Sequence, residues 1–317
     1  MKYVYIFLIT MLLCSCFSSK KNAEPVSAAL SVTPNEHASI LSKPFDESWG
    51  RGEYTGVNDL SELIAWINDT SIKSLSLDRG NFSDLSPLTA LTELEELNIE
   101  SNDNITDISP LVSLANLKKL TLFGLHGLSA ENMEPISALV NLRYLKLHVW
   151  YLNERYFRML LPLQQLETLI LSNGALLDVT YISQMHSLIE LEITPGWENQ
   201  IGPDILNIEL LGNLTNLERL TILGGIPNFD ISWITSLQNL EYLEMRSSAI
   251  DDIRPLLELP NLVTVNLYKT NVQDGTSLLE SKSIKGIYGF YGEGISDEWF
   301  LRFRERGIEF IPFNSDR

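Results

Sequence analysis

The sequence predicts an α/β solenoid. One curved parallel sheet of about ten strands lines the concave side, short helices or 3₁₀ turns line the convex side, and a cap containing a helix closes each end. Two observations carry this. A six-residue phrase with aliphatic residues at its first, fourth and sixth places recurs along the chain, as in "IKSLSL", "LEELNI", "LKKLTL", "LRYLKL", "LETLIL", "LIELEI", "LERLTI", "LEYLEM" and "LVTVNL", with a weaker tenth copy, "IKGIYG". The fourth-place aliphatics are Leu75, Leu97, Leu120, Leu145, Leu169, Leu191, Leu220, Leu243, Val265 and Ile287, at intervals of 22, 23, 25, 24, 22, 29, 23, 22 and 22. Such a period is the mark of a repeat array. Within each phrase, aliphatics alternate with polar residues, which is the period of a strand with one buried face. A single repeat cannot cover that face, so each strand needs its neighbours. Ten strands stacked at about 4.8 Å give a sheet on the order of 45 Å long. With 44% hydrophobic and 20% charged residues the chain can bury a large core, and arrays that grow by repetition need no division into two domains.

Taken in chain order, residues 1–15 read as an export signal. Lys2 precedes a run from Tyr3 to Leu13 in which only Thr10 is polar. The run is too short to span a bilayer stably and fits the apolar region of a secretory signal. Next comes Leu13-Cys14-Ser15-Cys16, holding both cysteines of the chain. This stretch resembles the lipobox of bacterial lipoproteins, with Leu13 at the aliphatic place, Ser15 at the small place and Cys16 as the acceptor. The resemblance implies cleavage before Cys16 and acylation of its thiol. An ordinary cleaved signal and an unprocessed anchor are the other two readings. Residues 16–44 then hold the acylated Cys16 and a segment rich in Ser, Ala, Pro and Lys. It reads as a flexible tether with a reach on the order of 30 Å.

Residues 45–71 form the N-terminal cap, where "NDLSELIAWIND" puts Leu60, Leu63, Ile64 and Ile67 on one helix face. Residues 72–292 carry the repeats, and the phrase quoted above identifies them as similar to leucine-rich repeats. The return halves "NFSDLSPLTAL", "NITDISPLVSL" and "AIDDIRPLLEL" share an aspartate, an aliphatic and a Pro-Leu pair. They resemble the internalin-like subfamily of about 22 residues per repeat, which implies a convex side of short 3₁₀ turns. Proline fixes φ and ends each strand. The longer intervals are expected to carry true helices, in "NERYFRML" after Asn153 as N-cap and in "SAENMEPISAL", while "TPGWENQIGPDIL" reads as a bulging loop around Trp197. Residues 293–317 form the C-terminal cap. "SDEWFLRFRERG" opens at Ser296, has acids in its first turn and arginines in its last, and is followed by Gly307 and a terminal strand "IEFIPF".

The formal charge of 23 − 41 = −18 argues against nucleic acid, which needs a basic stripe, and against electrostatic attachment to anionic lipid. His37, His126, His148 and His186 lack metal-ligand spacing, and no zinc-protease, serine-hydrolase or phosphate-loop pattern occurs. "GIYGFYGEG" reads as a degenerate last repeat. "ESNDNITD" lacks the glycine and closing glutamate of a calcium loop, and reads as a repeat turn in which Asn102 holds the asparagine place of the leucine-rich repeat. That asparagine is missing from the other repeats, so no continuous asparagine ladder is expected. No catalytic residue, cofactor or metal is expected.

Leucine-rich repeat proteins resemble one another in binding through the concave face, where the third, fifth and seventh places of L-x-x-L-x-L-x point. Those places give Lys119, Thr121 and Phe123; Tyr144, Lys146 and His148, with Trp150 just beyond; Tyr242, Glu244 and Arg246; Tyr268; and Tyr288 and Phe290. Glu190 and Glu192 stand between, so two aromatic groups flank an acidic middle. Exposed Tyr, Trp and Arg are enriched at interface hot spots. The expected function is binding of a protein partner by a lipid-anchored, extracytoplasmic protein at the outer membrane or cell surface. By resemblance to internalins, the partner belongs to a host or a neighbouring cell. An envelope scaffold and a glycan-binding module using Tyr144, Trp150 and Tyr268 are the alternatives.

Overall fold

The computed structural model describes residues 29–33, 59–67, 71–148, 154–173, 177–195, 205–224, 230–246, 250–268, 270–272, 275–289 and 297–311. Cys16, Trp150, Asn153, Trp197 and Phe290 fall outside them, as do the signal and most of the tether.

The ten predicted repeat strands are all present. They are β2 (Ser74–Asp78), β3 (Glu96–Glu100), β4 (Lys119–Phe123), β5 (Tyr144–His148), β6 (Thr168–Asn173), β8 (Glu190–Pro195), β10 (Arg219–Leu223), β11 (Tyr242–Arg246), β12 (Thr264–Asn266) and β13 (Gly286–Tyr288). The terminal strand β14 (Glu309–Ile311) pairs in parallel with β13. At the other edge β1 (Ala29–Thr33) pairs antiparallel with β2, completing a sheet of 12 strands. The sequence reading assigned this stretch to the tether and expected no strand there. Pairing it with β2 satisfies backbone groups that an open sheet edge would leave exposed. A separate pair of two-residue strands joins β7 (Leu177–Asp178) to β9 (Ile205–Leu206), and β9 is the end of the stretch read as a bulging loop.

The markers align strand by strand, Leu75 to Leu97 to Leu120 and onward. Fourth- and sixth-place aliphatics face the core and are at most 2% exposed from Leu75 to Ile287. The convex side continues the core in steps of three. Leu85, Leu88, Leu91 and Leu94 are linked by backbone N–H groups donated three residues back, at 2.9–3.0 Å. That is 3₁₀ geometry, in which side chains three apart eclipse one another. All four leucines are buried. The shared aspartate of the return half starts each turn: Asp84, Asp107, Asp230 and Asp252 each accept the backbone N–H two residues on, at 2.7–3.0 Å.

One expected helix is corrected. Ala130–Ala138, in "SAENMEPISAL", is a nine-residue 3₁₀ helix with Pro135 inside it. Proline removes the N–H that an α-helix would need there, whereas the bonds from Asn132 to Ser129 and from Leu139 to Ile136 keep the three-residue spacing. The other expected helix exists as α2 (Glu154–Arg158), which buries Phe157.

The asparagine expectation needs correction too. Asn102 is isolated as predicted, buried at 1% with its Nδ2 donating to the Phe82 carbonyl at 3.0 Å. A ladder nevertheless runs along a different place, the residue before each phrase. The Nδ2 atoms of Asn116, Asn141, Asn216, Asn239 and Asn261 donate to carbonyls of the preceding repeat at 2.8–2.9 Å. Ser187 and Ser283 fill the same role in their repeats.

The caps follow the reading. In α1 (Leu60–Ile67) Leu60 is buried, and Asp59 accepts the N–H of Ser61 at 2.7 Å. In α3 (Asp297–Glu305) Phe303 is fully buried and stacks on Phe310 of β14 with centroids 5.1 Å apart. Gly307 adopts φ +71°, the left-handed conformation that lets the chain leave a helix end.

Candidate binding face

Parallel register puts the third, fifth and seventh places of successive repeats into three rows across the concave sheet. The third-place row reads Glu96, Lys119, Tyr144, Thr168, Glu190, Arg219, Tyr242, Thr264. It is a carboxylate, a cation, a tyrosine and a threonine, twice over. In both copies the cation lies over the next ring, Lys119 Nζ at 5.0 Å from the Tyr144 centroid and the Arg219 guanidinium at 4.3 Å from that of Tyr242. Each such contact is worth roughly 0.5–1 kcal/mol at exposed sites and fixes a long side chain.

The first aromatic group predicted from sequence assembles on β4 and β5. Lys146 Nζ sits 4.6 Å from the Phe123 centroid, and Phe123 packs on His148 at 4.7 Å. His126, from the turn after β4, meets His148 edge-on at 6.0 Å and stands 3.9 Å from Asp103. Burial and then the neighbouring His126 lower the pKa of His148. The four histidines lack metal spacing in the sequence, yet the fold brings two of them together. Among the described residues, no group of three or more His, Cys, Asp or Glu is placed to hold a metal ion.

The second group assembles on β10 to β13. Glu244, only 5% exposed, receives hydrogen bonds from Tyr242 Oη at 2.7 Å and Asn266 Nδ2 at 3.1 Å, and pairs with Arg246. Arg246 in turn lies 5.8 Å from the Tyr268 centroid. Tyr288 donates to Glu309 at 3.2 Å. Burial, and next the hydrogen bond to Glu244, push the Tyr242 phenol far above the usual tyrosine range. Tyr144 is raised as well, first by burial and then by Glu190.

Glu190 and Glu192 lie between the groups on β8. Glu190 pairs with Arg219 at 3.4 Å. Burial raises the carboxyl pKa of Glu192. The structure thus joins Phe123, Tyr144, Lys146 and His148 in one group, and Tyr242, Arg246, Tyr268 and Tyr288 in another, each on neighbouring strands. Arg219, Ile170 and His126 were missed by the sequence reading. Reading the third and fifth places of every repeat, rather than the aromatic ones, finds the first two; His126 belongs to a turn and carries no such signal.

The concave face also contains a shallow depression of about 300 Å³ over β2 to β5, lined by Ser74, Ser76, Glu96, Asn98, Lys119 and Lys146 among others. A second, of about 450 Å³, lies at the rim where the strands begin, around the Arg143–Glu167 ion pair. No helix among the described residues is long and apolar enough to cross a membrane.

No protein-family model matches the sequence, and no curated protein matches it. Among solved structures the chain is similar to an internalin, InlF, of Listeria monocytogenes, with a TM-score of 0.60 and 20% identity over 81% of this chain and 90% of that one. It also aligns with internalin C2 of the same species, at a TM-score of 0.44 and 25% identity over 69% and 81%. A leucine-rich repeat protein of Leptospira interrogans aligns at 0.45 and 16% identity over 81% of each chain. Register, 3₁₀ turns and the likeness to InlF together make this a leucine-rich repeat solenoid with the internalin-like fold.

Proposed function

We propose that the chain is a lipid-anchored, extracytoplasmic binding protein that recognises a protein partner through its concave face. One observation carries the reading. Four cations and four rings of that face are already locked to one another, Lys119 with Tyr144, Lys146 with Phe123, Arg219 with Tyr242 and Arg246 with Tyr268. Side chains ordered before association lose less freedom on binding, which is where rotamer-rich surfaces otherwise lose affinity. Aromatic and arginine side chains in such a setting are the residue types of interface hot spots. The same contacts weigh against sugar stacking, because a cation already covers one face of each ring.

The remaining parts of the proposal follow from the N-terminal sequence. Acylation of Cys16 would hold the protein at a membrane, since each buried CH₂ of an acyl chain contributes about 0.8 kcal/mol. Adhesion to a host or neighbouring cell is the role this reading leads to if the repeats face outward. An envelope scaffold is the role if they face inward.

The test replaces Tyr144 or Tyr268 with a photoreactive phenylalanine derivative in the living cell, and Val112 or Glu209 on the convex side as controls. A discrete protein adduct formed only from the concave positions supports the reading. Equal adducts from the convex positions, or none from any, overturn it. Protease treatment of intact cells assigns the side of the envelope, and Cys16→Ser should abolish incorporation of labelled fatty acid.

A further inference from the structure

The fifth-place row of the concave face reads Ser76, Asn98, Thr121, Lys146, Ile170, Glu192, Thr221, Glu244 and Asn266 across successive strands. Ile170 is the one aliphatic residue in that stretch, partly buried amid polar neighbours. The charges on either side of it, like Lys119 and Glu96 on the strands toward the N-terminal end, form no ion pair among the described residues, unlike the arginines farther along the face. Arg219 and Arg246 are each neutralised, by Glu190 and Glu244. Lys146 forms no ion pair with any described residue, and its ammonium rests on the Phe123 ring. Glu192 accepts a hydrogen bond from Thr194 Oγ1 at 3.3 Å and forms no ion pair among the described residues. Lys146 and Glu192 stand two strands apart, about 10 Å. The two side chains form no ion pair, though the Lys146 ammonium still lowers the Glu192 carboxyl pKa through space. The row thus holds a cation, an apolar side chain and a carboxylate in a straight line.

We infer that the partner of the concave face presents the complementary line: a carboxylate for Lys146, an apolar side chain for Ile170 and a cationic side chain for Glu192, spanning about 10 Å. This deepens the proposed protein-binding function and rests on it. Charge complementarity selects the occupant. A uniformly cationic partner, which the overall charge of −18 would favour at long range, would meet Lys146 unmatched. A uniformly acidic partner would meet Glu192, with Glu190 and Glu244 on the strand itself and beyond. A half-buried carboxylate gains most from a partner cation, because its hydration is already reduced. The span is that of residues i and i+7 on an α-helix, about 10.5 Å, or i and i+3 on a polyproline II segment, about 9.3 Å.

The experiment selects a phage-displayed library of random peptides against three full chains: the wild type, Lys146→Glu and Glu192→Lys. Both positions are on the surface, and unchanged thermal unfolding verifies that the variants are folded. Wild type should enrich peptides with one acidic and one basic residue flanking an apolar one. Lys146→Glu should enrich peptides with two basic residues, and Glu192→Lys peptides with two acidic ones. This pattern does not depend on which way a peptide lies. A synthetic wild-type-selected peptide should bind each variant roughly 10- to 100-fold more weakly. The same charge composition from all three chains overturns the inference. If those peptides still lose binding on Tyr242→Ala or Arg246→Ala, the concave face remains the binding face and only the charge line falls. Peptides indifferent to every concave substitution, or no enrichment at all, bring down both.

Discussion

Tyr242 donates its phenolic hydrogen to Glu244 at 2.7 Å, on the same strand and two residues away, and the carboxylate that receives it is 5% exposed. Side chains two apart on a strand share a face, so the ring and the carboxylate lie side by side on the concave sheet and the charge stays covered. Tyr242→Phe should therefore destabilise the fold by about 1.5–3 kcal/mol, the range for a hydrogen bond to a charged group. Urea unfolding measures it. A change below the resolution of that method would mean that Arg246 and Asn266 suffice to hold Glu244.

The same pair sets an alkaline limit. The folded Tyr242 keeps its proton well above the usual tyrosine range, while the unfolded one releases it near pH 10. Above that value the unfolded state binds fewer protons than the folded one, so stability falls as pH rises. In an absorbance titration at the tyrosinate band, one tyrosine should ionise only together with unfolding. Tyr242→Phe should remove that step.

Acid acts on the turns. The hydrogen bonds and charge of Arg254 hold Asp252 at about 2, and the N–H groups and hydroxyls that follow Asp84, Asp178 and Asp230 lower those carboxyls as well. Their stabilisation is complete above the unfolded value near 3.9 and disappears as pH falls from there toward 2. The urea midpoint should decline across that window. Asp252→Asn keeps an acceptor oxygen for the turn and should flatten part of the decline.

Asn102 is the test of a single repeat turn. Its amide donates to the Phe82 carbonyl and accepts the N–H of Asn104 at 3.2 Å in a buried position. Asn102→Ala leaves both groups without that partner and should cost about 2–3 kcal/mol. Asn239→Ala, at the exposed rim where water can replace the lost donor, should cost about 1 kcal/mol or less. Similar losses for the two would contradict the difference in burial.

Gly289 adopts φ +79°, and a Cβ there would stand 2.6 Å from Asn266 Oδ1 and 2.8 Å from Tyr268 Cβ. Gly289→Ala should displace Tyr268 and lower the melting temperature, with the near-ultraviolet circular dichroism of the tyrosines changing in parallel.

The strands were legible because a period of two interrupted every 22 to 29 residues leaves little choice of register. The helical caps were legible for the same kind of reason: α3 carries its own signals in Arg302, Arg304 and Gly307. The convex side was harder. Its evidence was the three-residue spacing of Leu85, Leu88, Leu91 and Leu94, which separates a 3₁₀ turn from the helix expected around Pro135. The family's asparagine place is filled by Asn102 alone, while Asn116, Asn141 and Asn216 stand at the rim before each phrase, a spacing that the sequence itself displays. For the binding face, sequence supplied the side chains and rows. It could not supply Lys146 over Phe123 or Arg219 over Tyr242, because which neighbour a long side chain leans on is decided across strands. His126 against His148 was out of reach, since a turn residue has no fixed place in the repeat.

The repeats differ in length by up to seven residues, from 22 to 29, yet Glu190 stays opposite Arg219 across the longest of them as squarely as Lys119 stays opposite Tyr144. At the end of that longest interval β9 pairs with β7 of the repeat before it. The added length is thus silent in the register of the concave sheet. The molecule behaves like a type case in which each letter has a fixed body and a variable shank. A letter on the reading face is exchanged one repeat at a time, and neither the spacing of the line nor the letters beside it has to be reset.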